Sequence, residues 1–192
     1  MATRKKTAAG AKKSAKTSAK KTAKKTVRRA ARRAPARTSP IPKGYHTATP
    51  YLIVRGAAAA IDFYQRAFGA KEKVRMSRPD GGVMHAEIQV GDSRIMLAEE
   101  NPAWGSMAPP SLSGSPTHVM LYVRDVDAFV ARAVAAGATV AMALENMFWG
   151  DRYGKITDPF GHHWSVATHV EDLTPKEMKR RADAWSAAMG GG

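Results

Sequence analysis

Tyr51-Leu52-Ile53-Val54-Arg55-Gly56 and Met120-Leu121-Tyr122-Val123-Arg124-Asp125 carry the same pattern twice in one chain. Each is a short apolar run with aliphatic and aromatic residues, closed by an arginine and then a turn or capping residue, which reads as a strand. Each leads into a stretch with helical spacing. Ile61, Tyr64 and Phe68 share one face of the first; Phe129 and Val130 share a face with Ala133 and Val134 in the second. Each stretch stops at glycine. Fifteen residues separate Val54 from Gly69, and fourteen separate Val123 from Gly137. Asp125 or Asp127 is placed to cap the second helix, and Gly137 sits where a left-handed residue is wanted.

Beyond each helix the period changes from helical to strand-like. In the first half Pro79-Asp80-Gly81-Gly82 is a turn before Met84–Val90, and Gly91-Asp92 is a turn before Arg94–Leu97. In the second half Asp158-Pro159-Phe160-Gly161 turns into His162–Ala167. The order is βαβββ, twice. The expected fold class is α+β: tandem βαβββ modules forming a curved sheet around a cavity. A module spanning 44–101 and a second spanning 117–172 are joined by a Pro-, Ser- and Gly-rich link over 102–116. A C-terminal helix is expected within 173–192. Thr174-Pro175-Lys176-Glu177 forms a capping box, and Met178, Ala182, Trp185 and Met189 share a face that docks on the body or a dimer partner.

Charge separates the first forty residues from the rest. Of the 31 Lys and Arg, fifteen lie in residues 1–40, which contain none of the 16 Asp and Glu; the body is therefore neutral. The first forty residues hold one large aliphatic residue, Val27, and have nothing to bury, so with the proline-marked linker residues 1–43 read as a disordered basic tail and linker. The chain contains no cysteine, which excludes disulfides and Cys-based metal sites. No apolar run approaches the length of a membrane span, and no secretory signal is apparent. The localisation expected is cytoplasmic, with nucleoid association through the tail; an organellar transit peptide is the second reading of the same residues.

The tail resembles the Lys/Ala-rich arms of linker histones and histone-like bacterial proteins. That resemblance implies contact with phosphate backbones, without sequence readout, through Lys12, Lys13, Lys20, Lys21, Lys24, Lys25, Arg28, Arg29, Arg32 and Arg33. The partner implied is DNA or another polyanion.

The body resembles the glyoxalase/bleomycin-resistance/dioxygenase, or vicinal oxygen chelate, superfamily over roughly residues 45–170. The tandem modules carry the resemblance, together with Ile61-Asp62-Phe63-Tyr64 and Asp158-Pro159-Phe160-Gly161. Thr49-Pro50-Tyr51-Leu52, Ala67-Phe68-Gly69-Ala70, His85-Ala86-Glu87 and Trp149-Gly150-Asp151-Arg152-Tyr153-Gly154 are similar to its PhnB-like branch. The resemblance implies a cavity on the sheet face away from the helices. Alternation then puts Ala86, Ile88 and Val90 under the helices and His85, Glu87 and Gln89 toward the cavity. On the last strand His163 and Ser165 share one face, Trp164 and Val166 the other.

His85 with Glu87 reads as a general base with an orienting carboxylate, and His118 as a third acid/base group. Tyr51, Gln89, Met120, Tyr122, Trp149, Arg152 and His163 are the expected pocket residues. Asp151 and Arg152 also read as a structural ion pair or a turn, and His46 and His162 as surface or turn residues. Metal-binding members of the superfamily use four strand positions filled by His, Gln or Glu. Here His118 is the one clear match; the others fall at Thr49 or Pro50, at Met96 or a neighbour, and at Ser165. The resemblance therefore implies an incomplete metal site and disfavours a divalent metal cofactor. One rearranged set, His118 and His163 with Glu87, has the two-imidazole, one-carboxylate composition of a metal site. Three functions remain open on sequence: lyase or isomerase chemistry on a small molecule, sequestration of a ligand without chemistry, and polyanion binding by the tail. A homodimer is the expected assembly.

Overall fold

A computed structural model describes residues 38–189. The ten tail residues assigned to phosphate contact lie outside the described residues, as does the expectation of disorder there.

The first module comprises β1 (Tyr51–Val54), α1 (Ala57–Phe68), β2 (Lys71–Ser77), β3 (Val83–Val90) and β4 (Ser93–Glu99). The second repeats it with β5 (His118–Tyr122), α2 (Val126–Ala136), β6 (Thr139–Asn146), β7 (Asp151–Thr157) and β8 (His163–His169). A C-terminal helix, α3 (Pro175–Met189), follows. Each module is a mixed four-stranded sheet, ordered β1-β4-β3-β2 and β5-β8-β7-β6. In both, the strand before the helix runs parallel to the last strand, while the strands after the helix are antiparallel. That register sets Tyr51 beside Met96, and His118 beside His163.

The alternation in β3 is realised. Ala86, Ile88 and Val90 are buried toward the helices, and His85, Glu87 and Gln89 are half-buried on the opposite face. On β8, Trp164 and Val166 are fully buried. The two helices pack against each other, with Phe68 of α1 stacked on Phe129 of α2 at 5.1 Å and edge-on to Trp164 at 4.8 Å. The core therefore lies along the helix pair, which leaves the far face of each sheet outside it.

Helix ends follow local chemistry. Asp125, rather than Asp127, caps α2 by accepting from the Ala128 amide at 2.9 Å, and Gly137 closes it at φ 117°. Gly56 precedes α1 and offers no side chain, so Glu99 from β4 supplies the cap. It accepts from the amides of Gly56 and Ala57 at 2.7 and 2.8 Å. Thr174 accepts from the Glu177 amide at 3.2 Å, but Glu177 turns its carboxylate to Arg180 and Arg181 instead of completing the box. On α3, Trp185 meets Phe148 at 5.4 Å while Met189 stays exposed. The link between modules is pinned by Glu100, which accepts from Arg55, the Ala108 amide and Ser111; these donors hold its carboxyl down at about 2. Among the described residues, no helix is long and apolar enough to cross a membrane.

Candidate functional site

Alternation on β3 and the parallel register of β1 with β4 bring three side chains into one hydrogen-bonded row. The Tyr51 hydroxyl lies 3.1 Å from His85 Nδ1, and His85 Nε2 lies 3.4 Å from Glu87 Oε1. The tautomer follows from the partners. Tyr45, His85 and Arg94 stabilise the ionised Glu87 carboxylate, with the phenol of Tyr45 foremost, and lower its pKa. An ionised carboxylate only accepts, so Nε2 carries a proton, and in the neutral imidazole Nδ1 then accepts from Tyr51. His85 therefore stands between Tyr51 and Glu87, with one ring nitrogen facing each. The edge-on Tyr51 and His85 rings, 5.7 Å apart, hold the same arrangement.

Glu87 Oε2 is occupied from a second direction. It accepts from the Tyr45 hydroxyl and from Arg94 Nη1 at 3.3 Å, and the Arg94 guanidinium lies over the Tyr45 ring at 5.4 Å. Neither Tyr45 nor Arg94 stands out in the motif reading. Arg94 was accessible by alternation, since it lies two residues before Met96 on β4. Tyr45 was not, because residues 39–48 carry no strand or helix periodicity. Gln89 shares the face but donates to the Gly91 carbonyl at 3.0 Å, closing its own turn.

The second module presents a different set. His118 and His163 stand with ring centroids 5.0 Å apart, and His163 Nδ1 meets the Thr157 hydroxyl at 3.0 Å. Burial, His163 and Lys155 together push the His118 pKa down. Tyr153 and Ser165 share a hydrogen bond at 2.9 Å on that face. Glu87 is on the first sheet, engaged as described, so the set of His118, His163 and Glu87 is not assembled. Among the described residues no three His, Asp or Glu side chains come together as metal donors. At the four family positions His118 is joined by Thr49 or Pro50, Met96 or a neighbour, and Ser165, a donor set that does not suit a divalent ion.

Two expectations change, and a third residue gains a role. Arg152 does not face the inner side: it forms a two-pronged pair with Asp127 of α2, both contacts 2.6 Å, because its β7 position points to the helix side. Asp151 is not its partner. It is buried on the inner side, where Tyr122 and Trp149 donate to one oxygen, each at 3.0 Å, and His169 meets the other at 2.7 Å. His162 occupies a turn but is half-buried, and its Nε2 lies 3.0 Å from the Ile53 carbonyl, tying the modules together.

Three hollows are lined by some of the candidates. One of about 910 Å³ lies between the β3–β4 turn and the start of α2, lined by Met120, Tyr122, Arg124 and Arg132. A cleft of about 270 Å³ between the modules brings Tyr51 and His163 to one space. A third, about 500 Å³, lies on the inner face of the first sheet between Glu87, Met96 and the segment from Pro40 to Thr49.

Comparison with known proteins decides the family. The profile of the Glyoxalase/Bleomycin resistance protein/Dioxygenase superfamily matches residues 45–166. The chain belongs to this superfamily. The basic segment lies outside the match. The superfamily domain is 46% identical over 134 residues to the uncharacterized protein Rv0887c of Mycobacterium tuberculosis, covering 68% of this chain and 79% of that one. Among solved structures it is similar to TioX from Micromonospora sp. ML1 (27% identity, TM-score 0.52), with 64% of this chain and 99% of TioX covered. The fosfomycin resistance protein FosX of Listeria monocytogenes, solved with Mn(II) and sulfate, shares the fold (16% identity, TM-score 0.52), with 71% and 97% covered.

Proposed function

We propose that this superfamily domain binds a small organic molecule on the inner face of its first module, with His85 as the acid/base group. The observation that carries this reading is the row Glu87–His85–Tyr51. Glu87 fixes the imidazole tautomer, and Tyr51, half-exposed at the mouth of the intermodule cleft, is the hydroxyl that meets ligand. Lyase or isomerase chemistry by proton transfer suits such a row. His118 and His163 supply a second polar surface for the same ligand, and a homodimer would cover the exposed Tyr51, Met120 and Tyr122. Sedimentation of the full chain tests that assembly.

A ligand screen on the full chain by thermal shift tests the reading, followed by Tyr51→Phe and His85→Gln on any hit. Loss of turnover with binding retained in His85→Gln supports chemistry. A ligand recovered unchanged supports the sequestering reading. Hits that ignore both substitutions overturn the site.

A second reading concerns the tail and rests on charge alone: fifteen cations and no acid within forty residues. It is a phosphate-backbone binder, for which full-length protein and duplex DNA should show affinity that falls steeply with salt. Salt-independent or undetectable binding overturns it.

A further inference from the structure

The segment preceding β1 crosses the inner face of the first sheet, and its own tyrosine lines the hollow there. Among the described residues from Ser39 to Ala48, the hydrogen bond that reaches a strand is from the Tyr45 hydroxyl to Glu87; a second, from the Thr49 hydroxyl to the His46 carbonyl, only joins the segment to the next residue of the chain. Tyr45 is half-buried while its neighbours from Ile41 to Gly44 and from His46 to Ala48 are exposed. The segment has no strand or helix of its own, and Tyr45 ties it to the sheet face. The phenol meets three complementary features at once. Its hydroxyl is taken by a carboxylate, its ring lies under the Arg94 guanidinium at 5.4 Å, and Met96 and Ile41 supply apolar walls beside a hollow of about 500 Å³.

We propose that this pocket is a phenol-recognition subsite, that phenolic aromatic molecules are the ligand class of the domain, and that Tyr45 is a tethered placeholder which such a ligand displaces. The inference rests on the reading of the first module's inner face as a ligand site. The chemistry selects a hydroxylated ring over other shapes. An ionised Glu87 accepts from a phenol and gains nothing from a plain hydrocarbon, while the guanidinium favours an electron-rich ring face. The hollow is of a size that suits a small ligand with more than one ring. A placeholder on a short tether acts at an effective concentration in the millimolar range, so free ligands compete only if they also fill the hollow that Tyr45 leaves open beside it. Removing it should expose a site that a single phenol ring can occupy.

The test uses p-cresol, the free equivalent of the tyrosine side chain, and toluene, which lacks the hydroxyl. Both are titrated by amide NMR into the full-length protein and its Tyr45→Ala variant. Because Tyr45 lies in an irregular segment outside the sheets and the core, the variant is expected to fold; the amide spectrum itself reports this. In Tyr45→Ala, p-cresol should shift Glu87, Arg94 and Met96 saturably and bind at least about tenfold tighter than toluene. Wild-type protein should bind p-cresol more weakly than the variant, and Glu87→Gln in the Tyr45→Ala background should reduce the preference over toluene. Equal affinity for the two probes, or no saturable shift at those positions, overturns the proposal. A screen that finds ligands touching His85 and Tyr51 without any phenol preference sinks this inference and leaves the proposed function standing. A screen in which neither His85 nor Tyr51 responds, alongside a positive p-cresol result, does the reverse.

Discussion

The Tyr64 hydroxyl of α1 donates to the carboxylate of Asp158, ninety-four residues away in the second module, at 2.7 Å. Asp158 is buried and has four donors: Tyr64, the Trp164 indole at 2.9 Å, and the amides of Phe160 and His162, each at 2.9 Å. Burial, with Asp158 next in effect, raises the Tyr64 pKa far above that of a free phenol and keeps it protonated as a donor. The Asp158-Pro159-Phe160-Gly161 signature is therefore structural. It shapes the turn with one oxygen and locks the two modules together with the other. Asp158→Ala would strand two buried side-chain donors and should cost roughly 3–5 kcal/mol in chemical denaturation. Tyr64→Phe should cost less, about 1.5–3 kcal/mol, since it removes one bond to a charged acceptor. Near-neutral values for both would show that this contact does not hold the modules together.

Helix α1 begins without a capping side chain of its own and borrows Glu99 from β4. Glu99→Ala should therefore destabilise the domain by about 1–2 kcal/mol, as an N-cap loss does, even though the residue lies forty-two positions from the helix start. Urea titration reads the loss. Hydrogen exchange should localise it to the first turn of α1, and an unchanged exchange pattern there would refute the borrowed cap.

The fold was legible because two periodicities recur in register. The inner face of β3 could be read from alternation alone, and His85 with Glu87 came from it. The array they form was not legible, because Tyr51 reaches His85 only through the parallel pairing of β1 with β4, which brings together residues thirty-four positions apart. Tyr45 was invisible for a different reason: an irregular segment has no period, and its contact is long-range. Arg152 was misplaced because Asp151 and Arg152 are adjacent and oppositely charged, which suggests a pair. Consecutive strand residues point to opposite faces, and each found its partner on its own side.

His169, at the end of β8, meets buried Asp151 on one side and Asp172 on the other, at 2.7 and 3.1 Å. These two carboxylates, Asp151 foremost, raise its pKa above the ordinary value. The stabilisation they lend is fully present below the unfolded-state pKa, near 6.5, and fades as pH rises through the higher folded-state value. A melting-temperature profile from pH 5 to pH 9 should therefore decline on the alkaline side in the wild type and flatten in His169→Gln. A parallel decline in both would assign the pH dependence elsewhere.

Gly150 has the tightest backbone requirement in the second module. Its φ of 94° lies in the left-handed region, and an added Cβ would fall 2.3 Å from the Glu171 carbonyl oxygen. The same turn is closed by the Val170 and Glu171 amides, which donate to the Gly150 carbonyl at 2.9 and 3.0 Å. A methyl group here strains the dihedral and pushes back the chain that leads into α3, where Glu171 pairs with Arg181 at 2.7 and 2.8 Å. Gly150→Ala should cost at least about 2 kcal/mol, since a positive φ alone costs about 1–2 kcal/mol in a residue with a Cβ and the collision adds to it. The loss should appear in urea denaturation together with faster hydrogen exchange at Val170 and Glu171. If stability fell without any change at those two amides, the strain would lie in the dihedral alone and the path into α3 would be independent of this turn.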